Sequence, residues 1–343
     1  MLYSNLIRPL LFKLPAETAH DITIRQLELL QNSYLGRGLI KLLSGHVESN
    51  PVQVMGLNFR HPVGLAAGLD KDAKVIRGLF QMGFSHIEVG TLTPKSQPGN
   101  DKPRLFRLKE DHALINRMGF NNEGSIAASR RLKKRDPNWG VVGGNVGRNK
   151  ITNNENAIDD YIASMSHLRD YVDYFTVNIS SPNTPGLREL QQEEVLKNLL
   201  TKISDDNSKS LKPRPLAVKI SPDLSKQEVQ SISRLAVTCG FNGIIGTNTT
   251  VNRIGLKTKA NRIKDAGSGG LSGRPLTRHS TDVVAWIKEA VGDSAAVIGV
   301  GGIFNAQDVI DKRNAGADLV QIYTGFVYNG PSMINNIQKA WIK

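Results

Sequence analysis

Residues 296–325 read AVIGVGGIFNAQDVIDKRNAGADLVQIYTG, and the order of signals within them decides the fold. The apolar run 296–300, rich in Val and Ile, has the character of a strand buried on both faces. Gly301 and Gly302 break it, Asn305 stands where a cap for a helix over 305–315 belongs, and a second apolar run follows at 319–323. The bare amides of Gly299 to Ile303 can approach an anion near the helix start, and Tyr323, Thr324 and Gly325 offer the other half of a phosphate cup. In barrels of alternating strands and helices, phosphate binds between the loops after strands 7 and 8, where these two loops would fall. The glycines do not read as the dinucleotide fingerprint, because they come late in the chain.

Working back toward residue 60, the same alternation repeats. Strands are predicted near 63–67, 86–90, 141–146, 173–179, 215–220 and 243–247, with helical periodicity over 155–170 and 225–238 among the intervening stretches. With the two strands already named, the set has the count of a (β/α)₈ barrel. Nearly every strand is followed by glycine or a polar group: Gly68, Asp70 and Lys71; Thr91; Asn145; Asn178, Ser181 and Asn183; Lys219; Thr247 to Thr249. Polar turns alone would explain two or three such positions. A barrel opens all its strand ends on one face, so these groups would converge on one site.

Residues 1–45 read as a separate helical extension ahead of a barrel over 46–343. Leu2, Leu6, Leu10 and Leu11 mark a first amphipathic stretch, Ile22, Leu27 and Leu30 a second after Pro15, and Leu39, Ile40, Leu42 and Leu43 a third. Such helices could cap the bottom of the barrel. Their leucines, with Arg8, Lys13, Arg25, Arg37 and Lys41 interspersed, also suit a helix lying on a bilayer surface. No run approaches the roughly 20 apolar residues of a membrane span.

Cys239 is the only cysteine among 343 residues, which excludes intramolecular disulfides and thiolate metal clusters. The seven histidines show no H-E-x-x-H, and there is no G-x-S-x-G elbow, so neither metal-assisted nor serine-nucleophile hydrolysis is favoured. A net charge of +13 attracts nucleic acid, an anionic membrane or an anionic substrate without choosing among them. The run Arg130, Arg131, Lys133, Lys134 and Arg135 reads as a solvated helix face, and the basic segment 252–264 as a solvated loop. Lys71 and Lys219 end separate strands; each suits a cation against an electron-rich ring or carboxylate, a Schiff-base amine, or a structural ion pair.

Asn178-Ile-Ser-Ser-Pro-Asn-Thr-Pro-Gly186 is the richest stretch chemically, a strand end that breaks into a proline-braced loop of amides and hydroxyls. Asparagine presents both donor and acceptor, which matches the alternating N–H and C=O edge of a pyrimidine-like ring. Asn116-Arg-Met-Gly-Phe120 and Thr247-Asn-Thr-Thr250 supply more of the same chemistry.

These three motifs, with Ala66-Ala-Gly-Leu-Asp-Lys-Asp72, Ser272-Gly-Arg-Pro-Leu276 and Gly299 to Ile303, resemble those of the dihydroorotate dehydrogenases, in order from about residue 50 onward. The resemblance implies oxidation of dihydroorotate to orotate on flavin mononucleotide (FMN). It implies flavin contacts from Ala67, Gly68, Leu69, Asp70, Lys71, Thr91, Asn145, Asn178, Lys219, Thr247, Gly273, Gly302, Tyr323 and Thr324. Substrate contacts would come from Lys71, Asn116, Arg117, Met118, Gly119, Phe120, Asn178, Asn183, Asn248 and Thr249. The lysine alternatives then resolve, with Lys219 facing negative charge on the reduced flavin. Ser181 occupies the position of the base that removes the C5 proton while C6 gives hydride to flavin N5.

Serine there resembles the quinone-linked branch; the soluble branch, using fumarate or NAD, carries cysteine. A serine hydroxyl is a poor base near neutral pH, which makes Thr184 a candidate relay. In the quinone-linked branch a helical extension touches the membrane and forms a quinone channel, so His20 and Arg25 become candidate channel residues. The expectation is a bacterial type of enzyme, monomeric, with no nucleic-acid partner, bound peripherally to anionic lipid on the cytoplasmic side of the inner membrane. Three other readings remain: a soluble dihydroorotate dehydrogenase using fumarate or NAD, disfavoured by Ser181 and the extension; a dihydrouridine synthase, which would use cysteine as acid and lacks the 178–186 loop; and a basic scaffold with no activity.

Overall fold

Eight parallel strands close on themselves in the computed structural model, which describes residues 2–342. They are β1 (Val63–Leu65), β2 (His86–Leu92), β3 (Val141–Val146), β4 (Tyr174–Asn178), β5 (Leu216–Ile220), β6 (Gly243–Gly246), β7 (Ala296–Val300) and β8 (Leu319–Ile322). Sequential strands are neighbours throughout, and β8 closes on β1 with Gln321 opposite Gly64. All eight predicted strands are present. The main discrepancies are at β1, which stops at Leu65 before its ligand-facing loop, and β2, which runs on to Leu92.

Two of the barrel helices begin at capping boxes. Ser225 accepts from the Glu228 amide ahead of Lys226–Thr238, and Asn305 accepts from the Asp308 amide ahead of Ala306–Asn314. In each, the acidic side chain bonds back to the cap amide, so two otherwise orphaned donors are satisfied together. One apolar layer fills the space between strands and helices. A second fills the barrel interior, where Phe59, Tyr174, Ala217, Ile298 and Leu319 meet.

Two additions were not legible in the alternation. A hairpin, Val52–Val54 with Leu57–Phe59, plugs the bottom, its Phe59 ring edge-on to His86 at 5.2 Å. A three-stranded antiparallel sheet of Leu105–Leu108, Ala113–Asn116 and Gly270–Gly273 forms from segments contributed by different βα loops.

The extension contains a π-helical turn Tyr3–Ile7 running into Arg8–Leu11, then α1 (Ala16–Leu30) and α2 (Tyr34–Ser44). Since the hairpin occupies the bottom, the bottom-cap reading is overturned; the extension lies beside the three-stranded sheet instead. Glu17 of α1 pairs with Arg104 at 2.9 Å, and Arg107 donates to the Leu14 carbonyl at 2.7 Å. Tyr3 Oη donates to the Val327 carbonyl at 2.6 Å. Gln31 clasps α3 (Ile76–Gln81), donating to the Lys74 carbonyl at 2.7 Å and accepting from the Gly78 amide at 3.0 Å. Leu2, Leu6, Leu10, Leu29, Leu35, Leu39 and Leu42 remain exposed. Among the described residues no helix is long and apolar enough to cross a membrane.

Candidate active site

The strand C-termini frame a cleft of about 1210 Å³, open mouth included. Its chemistry starts one layer below, at Glu88 on β2, which is fully buried. Glu88 accepts from Asn145 Nδ2 at 3.0 Å, Thr176 Oγ1 at 3.0 Å, Tyr174 Oη at 3.2 Å and Gln321 Nε2 at 2.8 Å. A carboxylate only accepts, so Asn145 must turn its NH₂ toward Glu88 and its carbonyl oxygen away. That oxygen accepts from Thr91 Oγ1 at 2.6 Å and Asn178 Nδ2 at 3.2 Å. Asn178 in turn presents its oxygen to Asn248 Nδ2 at 3.3 Å. One charge thus sets the polarity of three amides up to the cleft wall.

Lys219 and Lys71 both line the cleft, and neither ammonium has a hydrogen-bond or ion-pair partner among the described residues. Burial lowers the pKa of each; Glu88 opposes this for Lys219, and Asp72, Glu17 and Asp21 oppose it for Lys71. A desolvated cation without a partner needs an anionic or electron-rich ligand. Opposite, Gly301 and Gly302 have φ of +118° and +68°, and a Cβ on Gly302 would sit 2.3 Å from Thr277 Cα. A Cβ on Gly273 would meet the His112 carbonyl oxygen at 2.4 Å. Only glycine leaves these backbones able to approach a phosphate.

Ser181 is almost fully buried, and its hydroxyl accepts from the Asn183 amide at 3.3 Å. Thr184 is also buried, and its hydroxyl has no hydrogen-bond partner among the described residues. The loop is tied to the 97–120 segment: Asn183 Nδ2 donates to Asn116 Oδ1 at 3.0 Å, and Asn100 Nδ2 donates to the Asn183 carbonyl at 3.1 Å. From the other side Arg188 Nε donates to the Ser180 carbonyl at 3.2 Å, Asn154 to the Gly186 carbonyl at 2.9 Å, and Arg148 to the Pro185 carbonyl.

Most of the residues singled out from sequence meet in this cleft: Ala67, Gly68, Lys71, Thr91, Asn116, Met118 to Phe120, Asn178, Ser181, Asn183, Lys219, Thr247 to Thr249, Gly273, Gly302, Tyr323 and Thr324. Five residues of the barrel do not line it, Thr184 among them. Asn145 lies behind Thr91, as described. Asp70 is buried, and its carboxylate accepts from the amides of Lys74 and Val75, both at 2.8 Å, which starts α3. Leu69 lines an adjoining, more polar cavity. Arg117 turns its guanidinium onto the carbonyls of Pro103 and Ala266 and lies over the Phe106 ring at 4.7 Å. Of the two extension residues, His20 reaches the cleft and Arg25 only the adjoining cavity. Burial, reinforced by Lys71, holds the His20 pKa well below the usual imidazole range.

Glu88, Gln321, Arg148, Asn154 and Arg188 were missed. Glu88 and Gln321 left a readable trace, polar residues in the middle of otherwise apolar strands. The braces on the 178–186 loop left none, because their partners are backbone carbonyls.

The sequence profile described as dihydroorotate dehydrogenase matches residues 50–343. A protein of Christiangramia forsetii named dihydroorotate dehydrogenase (quinone) is 48% identical, with 98% of each chain covered. One of the same name from Arthrobacter sp. is 45% identical over 96% of this chain and 94% of its own. The Eimeria tenella dihydroorotate dehydrogenase crystallised with ferulenol superposes with a TM-score of 0.81 at 35% identity, covering 94% of this chain and 90% of its own. The sequence profile, near full-length relatives and a shared barrel agree: the chain belongs to the dihydroorotate dehydrogenase family.

Proposed function

We propose that this protein oxidises (S)-dihydroorotate to orotate on FMN and passes the electrons to a membrane quinone, as a step of de novo pyrimidine synthesis. The observation that carries this reading is the meeting, in one cleft, of Ser181, the amides of Asn116, Asn178, Asn183 and Asn248, and two cations without protein partners. The residues present fit a flavin nucleotide: the Gly273, Gly301 and Gly302 backbones line the cleft without side chains, and the Lys219 ammonium lacks a protein partner. Bound FMN supplies the hydride acceptor.

The protein's own groups do the rest. The four asparagines hold the N–H and C=O edges of the substrate ring, and Lys71 faces its carboxylate. Ser181 takes the proton from C5 as hydride leaves C6, so that a C5=C6 double bond forms. Since serine cannot keep that proton, Thr184, buried three residues on in the same loop, passes it on; its hydroxyl makes no direct hydrogen bond to Ser181, so a water joins the two. Lys219 sits where negative charge develops on the ring system.

For the second half-reaction, the extension provides the quinone path, with His20 as the group at its inner end. Its exposed leucines lie on the cytoplasmic face of a bacterial inner membrane, and the protein acts as a monomer.

Stopped-flow absorbance of the yellow protein tests both halves. Dihydroorotate under anaerobic conditions should bleach the flavin, and a quinone analogue should restore it. A yellow protein that fails to bleach would keep the barrel and cofactor but overturn the substrate. If the chain without residues 1–45 reduced quinone at the full rate, the quinone path through the extension would be wrong.

A further inference from the structure

A second hollow, on the outside of the barrel, gathers several basic side chains in its wall. It lies between α2 and the barrel wall, encloses about 1520 Å³ including open solvent, and is lined by Lys41, His46, Arg60, Arg77 and Trp139 among others. No carboxylate lines it. Several cations elsewhere are answered by acids: Arg104 pairs with Glu17, Arg135 with Asp173, Arg169 with Asp206 and Arg188 with Asp223. Lys41, Arg60 and Arg77 form no ion pair among the described residues. Arg77 lies over the Trp139 ring at 5.3 Å, and its guanidinium makes no hydrogen bond among the described residues. Arg60 makes only a long 3.5 Å contact with the Gly83 carbonyl. Like charges gathered without a counter-charge are costly unless an anion completes them, and a planar fork matches a phosphate in particular.

The neighbouring surface says which phosphate. Leu35, Leu39 and Leu42 follow one another along one stripe of α2, exposed by 85%, 45% and 75%. Leu42 also belongs to the wall of the hollow. Apolar stripe and cation cluster are therefore contiguous, as the acyl chains and phosphate of a phospholipid are. We infer that this hollow binds the headgroup phosphate of an anionic phospholipid, anchoring α2 and orienting the enzyme on the bilayer. The inference rests on the membrane-surface reading above and adds to it a discrete site.

The test is cosedimentation of the full-length holoenzyme with phosphatidylcholine vesicles, plain or doped with phosphatidylglycerol. The wild type should prefer the doped vesicles. Arg77→Lys keeps the charge but loses the fork, and should cut that preference about fivefold, the worth of roughly one hydrogen bond. Lys41→Gln/Arg77→Gln should cut it further. Lys197→Gln/Lys202→Gln, on the exposed helix Glu193–Ser208 across the barrel, should leave it unchanged. All variants should still bleach with dihydroorotate at the wild-type rate, which establishes that they fold. An Arg77→Lys protein with unaltered preference, or an equal loss in Lys197→Gln/Lys202→Gln, would reduce the effect to diffuse charge and overturn the site. Equal binding of wild type to plain and doped vesicles would overturn the site and keep the membrane reading; no binding to either would overturn both. A thermal shift with inorganic phosphate that Arg77→Lys abolishes, without change in vesicle partition, would reassign the hollow to a free anion and overturn the lipid.

Discussion

A carboxylate inside a barrel has to be answered by donors, and Glu88 is answered by Asn145, Thr176, Tyr174 and Gln321. Glu88→Gln replaces an acceptor oxygen with a donor amide, so at least one of these donors loses its partner and Lys219 loses its opposing charge. The expected cost is about 1–3 kcal/mol in urea unfolding, with weaker flavin retention. A protein as stable as wild type that retained its flavin would show that Glu88 does not orient Asn145. At the same scale, Thr184→Ala should slow flavin reduction by about a hundredfold in single turnover while orotate still binds, since proton transfer is worth roughly 10²–10⁴. An unchanged rate would remove Thr184 from the proton path.

Elements are held together here by a few contacts whose loss is readable. Asp308 accepts from the amides of Phe304 at 2.7 Å and Asn305 at 3.1 Å and pairs with Arg274 at 3.0 Å, so it joins Ala306–Asn314 to the loop carrying Gly273. Asn305→Ala removes only the cap and should cost about 1 kcal/mol in chemical denaturation. The α1–α3 contact is tighter: a Cβ on Gly78 would lie 2.7 Å from Leu27 Cδ1. Gly78→Ala should therefore destabilise by about 1–3 kcal/mol and raise hydrogen exchange across α1 more than across the barrel. Equal protection in both proteins would mean that α1 is held chiefly by the Glu17–Arg104 pair and Gln31.

For the whole molecule, acid stability turns on buried histidines, two of them at the lower end of the barrel. His61 Nε2–H donates to the Gly83 carbonyl at 2.8 Å while Nδ1 accepts from the Val63 amide at 3.3 Å, an arrangement only the neutral ring allows. Burial lowers the His61 pKa to about 4 and that of His86 to about 3. The unfolded chain binds these protons from about 6.5 downward, so below that pH unfolding takes up protons the native state refuses. The stability is fully present above pH 6.5 and is lost as pH falls through the folded values. His61→Gln should flatten the fall in urea midpoint between about pH 6.5 and 4, where His61 alone accounts for about 3 kcal/mol. A midpoint that falls as steeply in the variant would assign the acid sensitivity elsewhere.

The barrel, its eight strands and most of its cleft were determined by the sequence itself, because apolar runs, caps and glycine turns act over a few residues and repeat eight times. Ser181, Asn178, Asn183 and the glycines of the phosphate loops were legible because each follows a strand, and every strand end opens on the same face. Tertiary structure alone decided what depends on residues far apart in the chain. Gly270–Gly273 pairs with Ala113–Asn116, the 52–59 hairpin takes the bottom that the extension was free to cover on one of its two readings, and Arg117 and Asp70 turn to structural partners. It also gathered Lys41, Arg60 and Arg77, which lie on separate segments and show no common pattern until the chain is folded. Local signals specify which elements form; which cations meet, and which amides share one carboxylate, follows from packing the elements in three dimensions.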